Sequence, residues 1–404
     1  LRDAANFLKA TIWGVCFVLS LVTDARAATD GARKIQFLFD DARVYVPVRI
    51  AGQAPQWFIL DTGATRTIID TAVARSAGID VRTLHVVRGA GSGESRQGDA
   101  PAVRLDVGGV PLQVAAPAIM DLASLLGPTS GRAPAGIIGS QFFREHYVEL
   151  DFAKRVLSVQ PPGAGASAEF VAAVPLSFVA DTPLARLGLT LPSGRTIAVH
   201  ALVDLGAKST LLLPEPFIER DKLRAAFPRT VTTGFGAGVG GNTSYAFARS
   251  RRMFFADAPA LGVDRPVVGL SVEGSLRSTW YDALLGAEFL ARFKVGFDYA
   301  GQRLLLTPQL DTEPPFDRSG LFLVAEGPGL NDIVVRQVLE GSPAEVAGLA
   351  PGDSILALDA TPVAALSLGE IRNRLKAEAP ATVTISYRRN GKDRVVRLTK
   401  RELL

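Results

Sequence analysis

The chain has 404 residues, 48% hydrophobic and 21% charged, a balance that excludes a disordered polypeptide and leaves room for roughly two to four compact units. Its net charge is only +4, and the basic residues are scattered instead of forming a stripe, which argues against a nucleic-acid partner. With 39 glycines, 25 prolines and few long helical periodicities, it reads as a mainly β protein rich in turns.

Arg2 and Lys9 precede an apolar run from Thr11 to Val22, and Ala25-Arg26-Ala27 supplies the small-x-small pattern that a signal peptidase needs. Residues 1–27 are therefore expected to be an export signal, giving a periplasmic or secreted protein. Left uncleaved, the segment would anchor the chain to the inner membrane, although the run is short for a span. Cys16, the single cysteine, lies inside it. The mature chain is thus expected to have no disulfide, no thiolate metal site and no cysteine nucleophile.

Next comes a long-period repeat. Trp57-Phe58-Ile59-Leu60-Asp61-Thr62-Gly63-Ala64 returns as His200-Ala201-Leu202-Val203-Asp204-Leu205-Gly206-Ala207, each followed by a second apolar strand. Gly136-Ile137-Ile138-Gly139 returns as Ala283-Leu284-Leu285-Gly286. The separation is 78 positions from Asp61 to Gly139 and 82 from Asp204 to Gly286, so order and spacing both survive, as in a duplicated domain. Strands are expected at Tyr45 to Ile50 and Ala102 to Val107, with short helices at Asp70 to Ala77, Ser140 to His146 and Ala287 to Arg292. Residues 161–167 and 311–315 read as linkers.

A carboxylate at the end of an apolar strand, in a tight glycine turn, is held rigidly and partly desolvated. Two copies that meet across a pseudo-two-fold axis cannot both ionise, so the pair shares one proton at working pH. One partner then takes a proton from water while the other polarises the amide carbonyl, without a covalent intermediate. These motifs resemble the aspartic peptidases of the pepsin and retropepsin clan, over roughly Ile35 to Pro308. The resemblance implies Asp61 and Asp204 as catalytic, with Thr62, Gly63, Gly206, Gly139 and Gly286 supporting their loops. It also implies glycine-rich flaps, matched by Gly89, Gly91 and Gly93 in the first half and by Gly236 and Gly238 in the second. Leu205 departs from the family pattern, which has Thr or Ser there to brace the two loops. That departure keeps open a catalytically impaired peptidase-fold protein acting as a peptide-binding or regulatory module. A further arrangement pairs first halves between chains, in retroviral style.

From about Phe316 the pattern changes. Gly341-Ser342-Pro343-Ala344, Ala347-Gly348-Leu349 and Gly352-Asp353 are similar to bacterial PDZ domains. Ser367 to Glu370 is a capping box, and Asn390-Gly391 marks a hairpin. The resemblance implies a C-terminal or extended peptide added to a sheet edge, with Gly320, Leu321 and Phe322 as its binding loop. A groove closed against the chain's own peptidase domain is the alternative. His85, His146 and His200 are far apart and lack His-Glu-x-x-His spacing, so no metal or other cofactor is expected. Asp151 and Asp298, at matched strand ends, are expected to close turns.

The architecture predicted is mainly β: a signal at 1–27, pseudo-symmetric aspartic-peptidase lobes at 28–165 and 166–312, and a small α+β PDZ domain at 316–404. The function predicted is peptide-bond hydrolysis by an aspartic endopeptidase, the PDZ module recruiting substrate or regulating access.

Overall fold

A computed structural model describes residues 31–88, 91, 93–165, 169–272, 276–310 and 316–404, without the side chains of residues 235–237. The expected export signal, Gly89, residues 166–167 of the first expected linker and all of the second, 311–315, lie outside these residues. Among the described residues, no helix is long and apolar enough to cross a membrane.

The protein is mainly β, and duplication is visible in its sheets. Two ten-stranded sheets have the same strand order, each strand of the first having its counterpart in the second. In the first, the Gln56–Leu60 strand lies between Arg43–Ile50 and Gly136–Ile138, running parallel to the latter. In the second, Thr196–Asp204 lies between Thr182–Thr190 and Ala283–Gly286, again parallel to the latter. These central strands read as apolar runs because both their faces are covered. Phe58 and Leu60 join the main core while Ile59 joins a second cluster with Tyr45 and Ile137. Likewise Ala201 and Val203 enter the main core, and Leu202 packs with Leu212 and Tyr245.

A six-stranded sheet joins the lobes. At its centre Tyr147–Asp151 pairs antiparallel with Phe293–Asp298, setting Leu150 against Val295 and Val148 against Phe297. The pseudo-two-fold axis therefore runs through a continuous hydrogen-bonded sheet, and one hydrophobic core extends through both halves. Asp151 and Asp298 close turns as expected, accepting from Lys154 N at 2.9 Å and Gly301 N at 2.8 Å.

Sequence analysis missed the Leu122–Ser130 helix, whose Gly127-Pro128 pair looks like a breaker. Tertiary capping overrides that signal. The buried Asp70 carboxylate accepts from Ala72 N at 2.8 Å to start the Thr71–Ser76 helix. Its second oxygen accepts from Leu122 N at 3.0 Å and Ala123 N at 3.2 Å. One side chain thus satisfies the free donors of two helix ends.

The C-terminal sheet runs Leu321–Glu326, Asp332–Val338, Ser354–Leu358, Thr382–Arg389, Lys392–Thr399, around its own apolar core. The capping box at Ser367 is formed and opens the Leu368–Lys376 helix. Asn390 and Gly391, both at positive φ, make the expected hairpin.

Candidate active site

Each Asp-x-Gly segment leaves its strand as a tight turn. Gly63 N donates to Asp61 Oδ1 at 2.8 Å and Ala64 N does so at 3.1 Å. In the second lobe Gly206 N and Ala207 N donate to Asp204 Oδ1 at 2.8 and 3.2 Å. Two N–H groups on one oxygen orient each carboxylate and leave the other oxygen free. The apolar-Gly segments pass beneath. Ser140 N donates to Ala64 O and Ala287 N to Ala207 O, both at 2.8 Å. A Cβ on Gly139 would stand 2.6 Å from Arg66 O, and one on Gly286 would strike Ser209 O. Only glycine permits that approach.

The structure brings the two turns together. A Cβ on Gly63 would lie 2.7 Å from the Asp204 carboxylate, and one on Gly206 would collide with that of Asp61. The aspartates are hydrogen-bonded to each other within a single chain. Burial raises the Asp61 carboxyl, offset in part by the hydrogen bond from Asp204 and by the Gly63 and Ala64 amides. Asp204 is pushed well above the usual range, by burial first, then by the Asp61 charge and by donating its proton to Asp61. Both carboxyls are thus raised by burial and by each other's proximity, Asp204 the more strongly, as expected of a pair that cannot ionise twice.

Leu205 was expected to deprive the loops of one brace, and the structure has the brace from Thr62 without its reciprocal. Thr62 Oγ1 reaches across the axis, donating to Val203 O at 2.6 Å and accepting from Leu205 N at 3.0 Å. Leu205 itself is 0% exposed and belongs to the main core, so packing replaces the second hydroxyl.

Over the pair stand two hairpins, Leu84–Val87 with Ser95–Asp99 and Val231–Gly238 with Gly241–Arg249. Their tips meet. Gly91 N donates to Val239 O and Gly93 N to Gly240 O, both at 2.8 Å, and Gly240 N donates to Ser95 Oγ at 3.0 Å. Of the residues expected to form flaps, Gly91 and Gly93 make these tip contacts. Gly236 and Gly238 lie further down the second hairpin, paired with Thr243 and Gly241.

Below the hairpins is a cavity of about 740 Å³ holding both aspartates. Leu321 and Phe322 from the expected PDZ loop line it too, together with Arg372 and Lys376. A three-way junction of charges, unforeseen from sequence, holds this wall in place. Asp41 of the first lobe pairs with Lys208 of the second and with Arg372 of the C-terminal domain. Thr129 O accepts from Lys208 Nζ at 2.9 Å and from Arg372 at 2.8 Å. Beside it Lys376 Nζ lies 3.2 Å from Glu288, which also accepts from Thr210 Oγ1 at 2.9 Å. Burial would raise the Asp41 carboxyl, but the Arg372 and Lys208 cations outweigh it and hold it well below the usual range. Burial, with Arg372 and Arg43 nearby, pulls the Lys208 ammonium down to about 7 despite Asp41.

The histidines are engaged locally and separately. His85 pairs with Asp99, His146 Nδ1 lies 3.0 Å from Phe142 O, and His200 pairs with Asp282. Among the described residues, no cluster of His, Cys, Asp and Glu is arranged to hold a metal ion.

Residues 46–142 match the aspartyl protease family, and residues 334–389 match the PDZ domain family. No curated protein matches the chain. Among solved structures, a photosystem II D1 C-terminal processing protease is 33% identical over 21% of this chain and 23% of its own, with a TM-score of 0.20. The chain thus spans less than a quarter of that protein's length.

Proposed function

From a chain that carries an aspartyl protease domain followed by a C-terminal PDZ domain, we propose an aspartic-type endopeptidase that hydrolyses peptide bonds with Asp61 and Asp204. Membership of the aspartyl protease family suggests a peptidase, and a PDZ domain implies peptide binding. The observation that carries the finer reading is the close contact of the two aspartates, one from each lobe, in the wall of one cleft.

Asp61, the charged member, takes a proton from a water molecule as its oxygen attacks the amide carbon. Asp204 gives its proton to the carbonyl oxygen. The resulting gem-diol collapses: Asp61 gives its proton to the leaving nitrogen as the C–N bond breaks, and a gem-diol hydroxyl returns its proton to Asp204, restoring one proton on the pair. Thr62 fixes the two loops to each other, while Gly63, Gly206, Gly139 and Gly286 allow their close packing. The hairpin tips form a lid that must part for a polypeptide to enter and that excludes water once closed.

The chemistry needs one proton on the pair. Cleavage therefore persists as pH rises through the ordinary carboxylate range and falls when Asp204 ionises, because burial and the Asp61 charge raise that step. Asp61→Asn and Asp204→Asn, each assayed on a quenched peptide library, are expected to abolish turnover. Turnover surviving both substitutions would remove these residues from the mechanism. Export rests on the basic start, the apolar run from Thr11 to Val22 and the Ala25-Arg26-Ala27 pattern; a mature chain beginning at Ala28 is the expected product, read by N-terminal sequencing.

A further inference from the structure

We propose that the C-terminal domain forms a wall of the peptidase cleft, where Phe316 and Phe322 receive an apolar side chain from an internal segment of the peptide lying over Asp61 and Asp204. The proposal rests on the endopeptidase reading above. It assigns the domain a part in selecting the cleaved sequence, in place of capturing a free chain end.

The first ground is position. Phe316, Leu321 and Phe322 line the same cavity of about 740 Å³ as the two aspartates. The Phe316 ring lies 5.6 Å from that of Phe247 on the second lobe's hairpin, and Phe247 lies 5.9 Å from Tyr245. An aromatic surface therefore continues from the lid into the C-terminal domain. Gly234 N, on the same hairpin, donates to Gln337 Oε1 at 3.4 Å, a second link between lid and domain. Aromatic walls of this kind favour large apolar side chains.

The second ground is what the loop has already bound. A PDZ loop holds a terminal carboxylate on backbone N–H groups. Here the Asp317 carboxylate accepts from Ser319 N at 3.0 Å, Gly320 N at 2.5 Å and Ser319 Oγ at 2.8 Å. Leu321 N is taken by Ser319 Oγ at 3.1 Å. A peptide's terminal carboxylate would have to displace Asp317 from Gly320 N, against like-charge repulsion, and the Ser319 hydroxyl from Leu321 N.

The third ground is the remainder of the groove. Leu321–Glu326 is an edge strand, and the Leu122–Ser130 helix of the first lobe packs along it. Arg372, on the helix that forms the groove's other side, donates to Leu323 O at 2.7 Å and is fixed by Asp41. The start of the strand faces the catalytic cleft, whereas its end, from Val324 to Glu326, borders a separate cavity of about 550 Å³ shared with the Leu122–Ser130 helix.

The test uses the full-length protein. Wild type, Phe316→Ala and Phe322→Ala are digested with an internally quenched peptide library, and binding of a fluorescein-labelled Leu- and Phe-rich decapeptide to the Asp61→Asn protein is measured with free and amidated C-termini. We expect KM for apolar substrates to rise about tenfold in the phenylalanine variants, with kcat changed much less and the cleavage profile altered at one subsite. Free and amidated decapeptides should bind within about twofold of each other, a comparison needing no variant of the C-terminal domain. An unchanged profile in variants that still cleave overturns the wall while leaving the peptidase intact. A tenfold preference for the free carboxylate also overturns it. Absence of turnover in wild type refutes the peptidase reading instead; decapeptide binding weakened by Phe322→Ala then supports the wall, and unweakened binding refutes it.

Discussion

Thr62→Val isolates the brace between the lobes. Valine keeps the β-branched shape and removes only the hydroxyl, so volume and χ1 preference stay nearly constant. Two backbone groups of the second lobe, Val203 O and Leu205 N, would lose their partner, and both flank Asp204. Thr62 is 0% exposed, so no solvent reaches in to replace the bonds. Each stranded group costs about 1–3 kcal/mol, which puts the substitution at about 2–6 kcal/mol in total. The same loss frees the Asp204 turn from the Asp61 turn, and a displacement near 1 Å in a reacting group lowers turnover about 100-fold. Urea unfolding followed by tryptophan fluorescence reads the first quantity, and turnover of a quenched peptide reads the second. Thr62→Ser, which keeps the hydroxyl, is the control and should lie within about 1 kcal/mol of wild type. If Thr62→Val unfolds within about 0.5 kcal/mol of Thr62→Ser and cleaves equally well, the hydroxyl is not the brace and the argument fails.

Gly206→Ala places a methyl group against the Asp61 carboxylate and should lower turnover at least about 100-fold while circular dichroism keeps its β signature; undiminished turnover would deny the close packing of the turns. Asp41→Asn leaves Lys208 and Arg372 without their shared anion and should cost about 3 kcal/mol in urea unfolding. A loss below about 0.5 kcal/mol would mean that the junction does not hold the domain. The Asp317 carboxyl, raised by burial from its ordinary 3.8 to about 6, favours folding most below pH 4, and that contribution is lost as pH rises to about 6. Relative to wild type, Asp317→Asn should therefore gain about 3 kcal/mol of stability between pH 4 and pH 7, and a flat difference in unfolding free energy would contradict the buried acid.

The paired aspartates were legible in the sequence because their surroundings are local. The chemistry of Asp-x-Gly-Ala is written in four consecutive residues, and the apolar-Gly segment that supports it keeps its distance in both halves. Helix Ser140–Glu145 begins at the expected residue, and Thr71–Ser76 begins one residue inside the expected Asp70 to Ala77, with Asp70 as its cap. Helix Leu122–Ser130 was not legible. Its local cap, Asp121, accepts from Ser124 N at 3.0 Å, but Gly127-Pro128 obscures that signal, and the second capping carboxylate, Asp70, lies fifty-two positions away. The sealing of the PDZ groove was likewise out of reach, since Arg372 meets Asp41 across 331 positions of chain. Leu205 was legible from its residue type: the reciprocal hydroxyl is absent, and the buried side chain fills the position by core packing.

A signal for the junction was nevertheless present, in the differences between the repeats. Two lobes that place one aspartate each on a pseudo-two-fold axis need only equivalent turns, so symmetry accounts for whatever the halves share. Symmetry cannot account for Lys208, which stands where the first half has Thr65, or for Glu288, which stands where it has Gln141. Asp41 lies at the first position of a left-handed two-residue turn, and the equivalent turn in the second half begins with Ala180. All three departures are charged, and all three are engaged at the face that Arg372 and Lys376 bring against the lobes. A single asymmetric body docked on a symmetric pair would leave this pattern, because it can touch each lobe in only one way. The charges that break the repeat therefore mark where the C-terminal domain sits, and that position is the rim of the cleft that holds the aspartates.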